Sequence, residues 1–148
     1  MADITFSVIE TNGIQMRVAE AGAGPLVLLV HGWPESWYSW RHQIKGLADS
    51  GYRVIAPDMR GYGDTSSPAA AADYRIDILV ADLVGLLDVL GEEKAALIGH
   101  DWGSMVVWNA ALLYPERFTG VMGMSVPYGG VGAEAPTAGW QKAMGDQF

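Results

Sequence analysis

Two short runs of aliphatic residues constrain the fold of this chain more than any other feature of its sequence. Leu26–Val30 and Ala95–Ile98 lack any alternation of polar and apolar residues, which predicts strands that are buried on both faces of a sheet. Between them, Ile76–Leu90 has apolar residues at helical spacing and is followed by Gly91, a helix stop. Strands that alternate with helices predict an α/β fold with a mostly parallel sheet.

The remaining segments extend this pattern. An opening β-hairpin is predicted from the alternating segments Ile4–Ile9 and Gln15–Glu20, which flank a turn at Thr11–Gly13. Further helices are predicted at Trp40–Ala48 and Ser104–Tyr114, further strands at Arg53–Ala56 and Phe118–Ser125, and a short helix near Trp140–Met144.

Composition and charge exclude several functional classes. The 148 residues include no Cys, which excludes a disulfide framework and thiolate metal sites. A net charge of −8 without basic clusters argues against nucleic-acid binding, because phosphate contacts need Lys and Arg. The longest apolar run, Pro25–Val30, is far shorter than the ~20 residues of a membrane span, and the first residues show no signal-peptide pattern. We therefore expect a cytoplasmic protein that binds neither membranes nor nucleic acid.

The segment Gly99–Gly103, with Asp101 at its centre, lies between a predicted strand and a predicted helix. Small residues two positions before and after Asp101 allow a tight, strained turn that exposes the carboxylate at the end of the strand. This pattern is typical of a nucleophile elbow, and a carboxylate attacks saturated carbon without prior deprotonation. Hydrolysis of the resulting ester would need oxyanion donors, for which the N–H groups of Trp102 and Trp33 are the candidates.

The alternative is a purely structural role, in which Asp101 caps the following helix. The loop His31–Pro34 after the first aliphatic strand favours the nucleophile instead, because the oxyanion donor of an elbow enzyme lies in such a loop. The His residues have no metal-ligand spacing with a carboxylate, so the spacing predicts no metal site. The loop Asp58–Ser66 lacks a phosphate-binding pattern and is interpreted as a structural loop at the rim. The residues interpreted as supporting the two turns are His31, Gly32, Pro34, Gly99, His100 and Gly103.

Four motifs in this order resemble those of the soluble epoxide hydrolases of the α/β-hydrolase fold. These motifs are His31–Arg41, Pro57–Ser66, Gly99–Gly103 and Tyr114–Arg117. The resemblance implies that Asp101 opens an epoxide to give an alkyl-enzyme ester and that Trp33 and Trp102 supply the oxyanion-hole amides and line the pocket. It also implies a vicinal diol as product, water as co-substrate and no cofactor.

The resemblance covers only the N-terminal half of the family's fold. Members of the family carry a helical cap with two Tyr, followed by strands that bring the water-activating His and its acid. None of these can be placed here, because no His follows His100 and no Tyr follows Tyr128. Residues 1–126 are therefore interpreted as the N-terminal part of the core, and residues 127–148 as the start of the cap. We expect such a chain to need its C-terminal half or another chain, or to self-associate, since Phe118–Ser125 would be an apolar sheet edge.

Two other functions stay open from the sequence. Haloalkane dehalogenases use the same Asp elbow, and Trp102 fits the residue that holds the departing halide in that family. The opening motif from His31 to Tyr38 favours the epoxide reaction. A non-catalytic, truncated fragment is the third interpretation, supported by the lack of any His after His100.

Overall fold

The computed structural model describes residues 3–129, which form a six-stranded mixed sheet with three α-helices. The strands are β1 (Thr5–Thr11), β2 (Ile14–Ala21), β3 (Leu26–Val30), β4 (Arg53–Pro57), β5 (Ala95–His100) and β6 (Phe118–Met124). The helices are α1 (Arg41–Asp49), α2 (Ile76–Leu90) and α3 (Trp102–Leu113), with short 3-10 segments at Trp37–Trp40, Ala71–Tyr74 and Pro115–Arg117. The predicted α/β fold is confirmed. The helix predicted near Trp140–Met144 lies outside the described residues.

The strand order is β1-β2-β4-β3-β5-β6. β1, β2 and β4 pair antiparallel, whereas β4, β3, β5 and β6 pair parallel, as predicted for an opening hairpin followed by a parallel sheet. Asn12 and Gly13 alone form the hairpin turn, because both adopt positive φ and thereby match the twist of the two strands. In the parallel part, Val30 of β3 pairs with Gly99 of β5, so the loops that follow these strands leave the sheet side by side.

Element boundaries follow local signals in the sequence. α2 begins and ends as predicted, and Gly91 terminates it in the left-handed conformation at φ 69°. α3 begins at Trp102 instead of the predicted Ser104, because the turn from β5 uses Asp101 alone. β6 ends one residue before Ser125, whose φ of 70° leaves the strand conformation. Within residues 3–129, no helix combines the length and the hydropathy that crossing a membrane requires.

Two apolar cores lie on opposite faces of the sheet. On the first face, α2 and α3 pack over the sheet, and the core includes Leu28, Ile55, Leu83, Leu86, Leu87, Leu97 and Val107. On the second face, α1 packs over the central strands, and the core includes Ala19, Val27, Leu29, Trp40, Ile44 and Val54. The residues of β5 and β6 on this second face are less well covered, and Met122 is 54% exposed.

Candidate active site

Asp101 lies at the junction of β5 and α3 with φ 52° and ψ −121°. A non-glycine residue at positive φ is strained by roughly 1–3 kcal/mol, and it persists only where the surrounding structure enforces it. The flanking glycines make the surrounding backbone pack closely enough to hold this conformation. A Cβ at Gly99 would overlap the carbonyl oxygen of Gly103, and a Cβ at Gly103 would overlap that of Val30. The predicted tight turn is therefore present, and it directs the Asp101 side chain away from the core.

The Asp101 carboxylate makes no capping hydrogen bond to α3. Its Oδ1 instead accepts a hydrogen bond at 3.0 Å from the backbone N–H of Trp33, which lies in the loop that follows β3. The N–H of Trp33, and secondly that of Trp102, hold the pKa of this carboxyl below its usual value, against the opposing effect of partial burial; the nearby His100 lowers it further. The capping interpretation is wrong, and Asp101 is an ionised carboxylate that backbone donors orient.

The loop after β3 approaches the carboxylate closely because it begins with glycine. A Cβ at Gly32 would lie 2.6 Å from the Cβ of Asp101 and 2.7 Å from its Oδ1. The loop is closed by Glu35, whose N–H donates to the Gly32 carbonyl at 3.2 Å and whose carboxylate accepts the Gly32 N–H at 3.0 Å. Pro34 follows Trp33 through a cis peptide bond.

His31 is buried behind this loop and uses both ring nitrogens. Nδ1 lies 2.8 Å from the Gly32 carbonyl oxygen, and Nε2 accepts the backbone N–H of Met59 at 2.9 Å. Burial lowers the pKa of His31, although the Gly32 carbonyl and the charges of Asp58 and Glu35 oppose that effect. His31 thus links the loops that follow β3 and β4 through its two ring nitrogens.

His100 turns its ring toward Glu35. Its Nδ1 lies 3.2 Å from Glu35 Oε1, in a half-buried pair beside a cavity of about 250 Å³. Asp101 does not line that cavity. Glu35 thus joins His100 to the Gly32 loop, a role that the sequence analysis missed. The available signal was a carboxylate three residues after Gly32, the spacing of a closed turn.

Three aromatic residues belong to the segments that meet at the carboxylate. Trp33 is 63% exposed and Trp102 is 60% exposed, although both adjoin Asp101. Tyr62 packs edge-on against the His31 ring with centroids 5.0 Å apart, and burial, followed by the charge of Asp101, raises its pKa. The two exposed indoles thus belong to the same residues whose N–H groups face the carboxylate.

The loop Asp58–Ser66, which follows β4, is held in place by hydrogen bonds of the buried Asp58. Asp58 is fully buried, and its Oδ1 accepts the N–H of Trp37 at 2.9 Å, while its carbonyl oxygen accepts the Thr65 hydroxyl at 2.6 Å. These contacts agree with the structural role predicted for this loop. Within residues 3–129, no three His, Asp or Glu side chains are grouped closely enough to hold a metal ion.

The profile of a protein family described as "alpha/beta hydrolase fold" matches residues 25–148 of this sequence. The chain belongs to the α/β-hydrolase fold family. It is 51% identical to epoxide hydrolase A of Mycobacterium tuberculosis over 146 residues, and 49% identical to epoxide hydrolase 3 of Siraitia grosvenorii over 149. These alignments cover 97% and 100% of this chain but only 45% and 47% of the relatives.

Solved structures give the same result for this α/β-hydrolase. The crystal structure of epoxide hydrolase A from Mycobacterium thermoresistibile matches it with a TM-score of 0.93 at 53% identity, over 97% of this chain and 46% of that one. An epoxide hydrolase from Vigna radiata matches with a TM-score of 0.91 at 46% identity, over 97% and 47%. The resemblance to epoxide hydrolases is confirmed, and the chain spans about half the length of the curated relatives it matches.

The fold of this α/β-hydrolase brings together the residues that the sequence analysis selected on two distant segments. Asp101, Gly32 and the N–H of Trp33 are in contact, and the N–H of Trp102 adjoins the same carboxylate. The catalytic roles of these residues remain predictions, as does the division into residues 1–126 and 127–148.

Proposed function

We propose that Asp101 is the nucleophile of an epoxide hydrolase site and that this chain supplies the nucleophile and the oxyanion donors. The observation that carries the proposal is the 3.0 Å hydrogen bond from the Trp33 N–H to Asp101 Oδ1, at a strained elbow between β5 and α3. Helix N-termini favour anions, so the position supports an ionised carboxylate and a negative transition state.

In the first step, Oδ2 of Asp101 attacks one carbon of the epoxide ring. The C–O bond at that carbon breaks, and the ring oxygen leaves as an alkoxide that takes up a proton. The product is a hydroxyalkyl ester of Asp101. Oδ1, which already accepts the Trp33 N–H, becomes the carbonyl oxygen of this ester. In the family that the sequence resembles, cap tyrosines donate this proton; in an experiment on this chain alone, water supplies it.

In the second step, water attacks the carbonyl carbon of the ester. The carbonyl oxygen becomes an oxyanion, which the N–H groups of Trp33 and Trp102 stabilise; one such donor contributes roughly 10²- to 10³-fold to the rate. The bond from the carbonyl carbon to the alkyl oxygen then breaks, which releases a vicinal diol and regenerates Asp101. The resemblance places the His that activates this water in the C-terminal strands of the family.

The names of the relatives favour an epoxide over a haloalkane, since the relatives described above are epoxide hydrolases. The exposed indoles of Trp33 and Trp102 provide an apolar surface for the carbon skeleton of a small-molecule epoxide. No cofactor enters the proposed reaction, because the attacking group is a side chain and the second reactant is water.

Intact-mass spectrometry tests the proposal. The chain is incubated with 1,2-epoxyhexane, and we expect a single adduct that equals the whole mass of the epoxide, because addition expels no leaving group. Asp101→Asn should abolish this adduct. The matched control is Asp64→Asn, which removes a carboxylate that is 76% exposed and should leave the adduct unchanged.

Each other outcome contradicts the proposal. An adduct that survives Asp101→Asn would exclude Asp101 as the nucleophile. No adduct on a chain that is folded by circular dichroism would favour the non-catalytic fragment over an epoxide-opening chain. Incubation with 1-bromohexane separates the alternative. A faster adduct that carries the hexyl group without bromine would instead support a dehalogenase.

A further inference from the structure

Three consecutive hydrogen bonds connect the loop after β4 to the carboxylate of Asp101. The N–H of Met59 donates to His31 Nε2 at 2.9 Å, and His31 Nδ1 lies 2.8 Å from the carbonyl oxygen of Gly32. That carbonyl belongs to the same peptide group as the N–H of Trp33, which donates to Asp101 Oδ1 at 3.0 Å. The imidazole and one peptide group therefore lie in line between a backbone donor and the nucleophile.

The direction of this chain of hydrogen bonds is fixed at its first member. A backbone N–H can only donate, so Nε2 of His31 must be an unprotonated acceptor. The ring proton is then on Nδ1 and points to the Gly32 carbonyl, which can only accept. All three donors consequently point toward Asp101, and His31 is held as one neutral tautomer.

We propose that His31 is a positioning residue that orients and polarises the Gly32–Trp33 peptide group, so that the Trp33 N–H donates more strongly to Asp101 Oδ1 and to the oxyanion formed there. Hydrogen bonds in line polarise one another, because a donor to a peptide oxygen withdraws electron density from its N–H. The inference rests on the proposed function, since it concerns the same oxyanion donor.

The surroundings of His31 keep this arrangement in place. The residue is 2% exposed, and Tyr62 packs edge-on against its ring, so the imidazole is shielded from water, which strengthens the interaction between aligned dipoles. The charged groups that face it are engaged elsewhere: Asp58 accepts the Trp37 N–H, and Glu35 accepts the Gly32 N–H.

A purely structural histidine would fill space and link two loops without polarising the peptide group. Two substitutions separate these roles, because each preserves one half of the imidazole. In His31→Asn, the amide nitrogen takes the position of Nδ1 and can still donate to the Gly32 carbonyl. In His31→Gln, the amide reaches the position of Nε2, where its oxygen can accept the Met59 N–H. The side chain then offers no donor to the Gly32 carbonyl, which keeps only the N–H of Glu35.

Nuclear magnetic resonance of the chain, labelled with carbon-13 and nitrogen-15, tests the proposal without any substrate. In the unsubstituted chain we expect the imidazole nitrogen shifts of the Nδ1–H tautomer and a scalar coupling between the Met59 amide nitrogen and His31 Nε2. Titration of the Asp101 carboxyl carbon should show that His31→Gln raises its pKa toward the ordinary value for a carboxyl group. His31→Asn should leave that pKa closer to the value in the unsubstituted chain.

An Nε2–H tautomer in the unsubstituted chain would overturn the proposal, whether or not the variants fold. So would an equal change, or no change, in the pKa of Asp101 in the two variants. The outcome of the adduct experiment by mass spectrometry is independent of the outcome of this nuclear magnetic resonance experiment. If no epoxide adduct forms but the tautomer and the pKa response are as expected, the proposed function is wrong for this chain. The role of His31 in polarising the Gly32–Trp33 peptide group is then still supported. If an adduct forms and the pKa does not respond, only the role of His31 is wrong.

Discussion

At the scale of single residues, the site depends on the missing side chain of Gly32. A Cβ there would lie 2.7 Å from Asp101 Oδ1, so Gly32→Ala must displace the carboxylate or the loop that carries the Trp33 N–H. Misplacement of a reacting group by about 1 Å can cost roughly 10²-fold in rate. We therefore expect the rate of epoxide adduct formation to fall by about that factor in intact-mass time courses.

The control for this substitution is Gly46→Ala, within α1. A Cβ at Gly46 meets no atom within 4 Å, and Ala is favoured over Gly in a helix interior by up to about 1 kcal/mol. The control should therefore keep the adduct rate and raise the melting temperature. Equal adduct rates in the two variants would mean that Gly32 does not set the position of Asp101.

The contact between Asp101 and the Trp33 N–H could be predicted from the sequence because topology alone brings the two loops together. β3 and β5 are buried strands of a parallel sheet, and the loops at their carboxyl ends lie at one edge. The links from Glu35 to Gly32 and from Met59 to His31 could not be predicted. They depend on loop conformations, and no periodicity of the sequence encodes which side chain meets which backbone group.

At the scale of elements, one buried ion pair joins α2 to the loop after β4. Arg60 donates to both carboxylate oxygens of Asp82, at 2.8 and 2.6 Å, and Asn12 of the hairpin turn donates to the same carboxylate at 2.7 Å. Asp82→Ala would leave the Arg60 charge buried without its partner, which costs roughly 3–5 kcal/mol. We expect a loss of that size in the free energy of unfolding measured by urea titration.

Asp77→Ala is the matched control, because it breaks an exposed ion pair near the start of the same helix. Arg75 and Asp77 lie 2.7 Å apart with side chains 68% and 51% exposed, and such pairs contribute about 1 kcal/mol or less. A loss for Asp82→Ala no larger than that of the control would show that the buried pair does not hold α2 in place.

The apolar spacing of α2 sufficed to predict its limits, and Gly91 supplied its end. The same spacing gave no indication of Asp82, since one Asp in a helix is ordinarily solvated. The start of α3 was predicted two residues late for a related reason. Helical periodicity identifies the buried face of a helix, whereas its first residue is set here by the strained backbone of Asp101.

At the scale of the whole molecule, no helix among the described residues covers the β5–β6 end of the sheet on the face where α1 packs. β6 is the last strand in the sheet order and pairs, among the described residues, with β5 alone. Beside it, a groove of about 360 Å³ is lined by apolar residues that include Leu29, Ile98 and Met122. The buried Nε1 of Trp40, which borders this groove, has no hydrogen-bond partner among the described residues. Parallel sheets are normally covered on both faces, so this surface favours association.

Met122→Lys tests this expectation, because Met122 is 54% exposed on β6 and a charge on an open edge strand opposes pairing. We expect the unsubstituted chain to associate with increasing concentration in sedimentation equilibrium, and Met122→Lys to weaken that association by about tenfold, a free-energy change of ~1.4 kcal/mol. Val89→Lys is the control, since Val89 is 59% exposed on α2, away from the edge. A strictly monomeric unsubstituted chain, or equal effects of the two lysines, would show that β6 and its groove are not the associating surface.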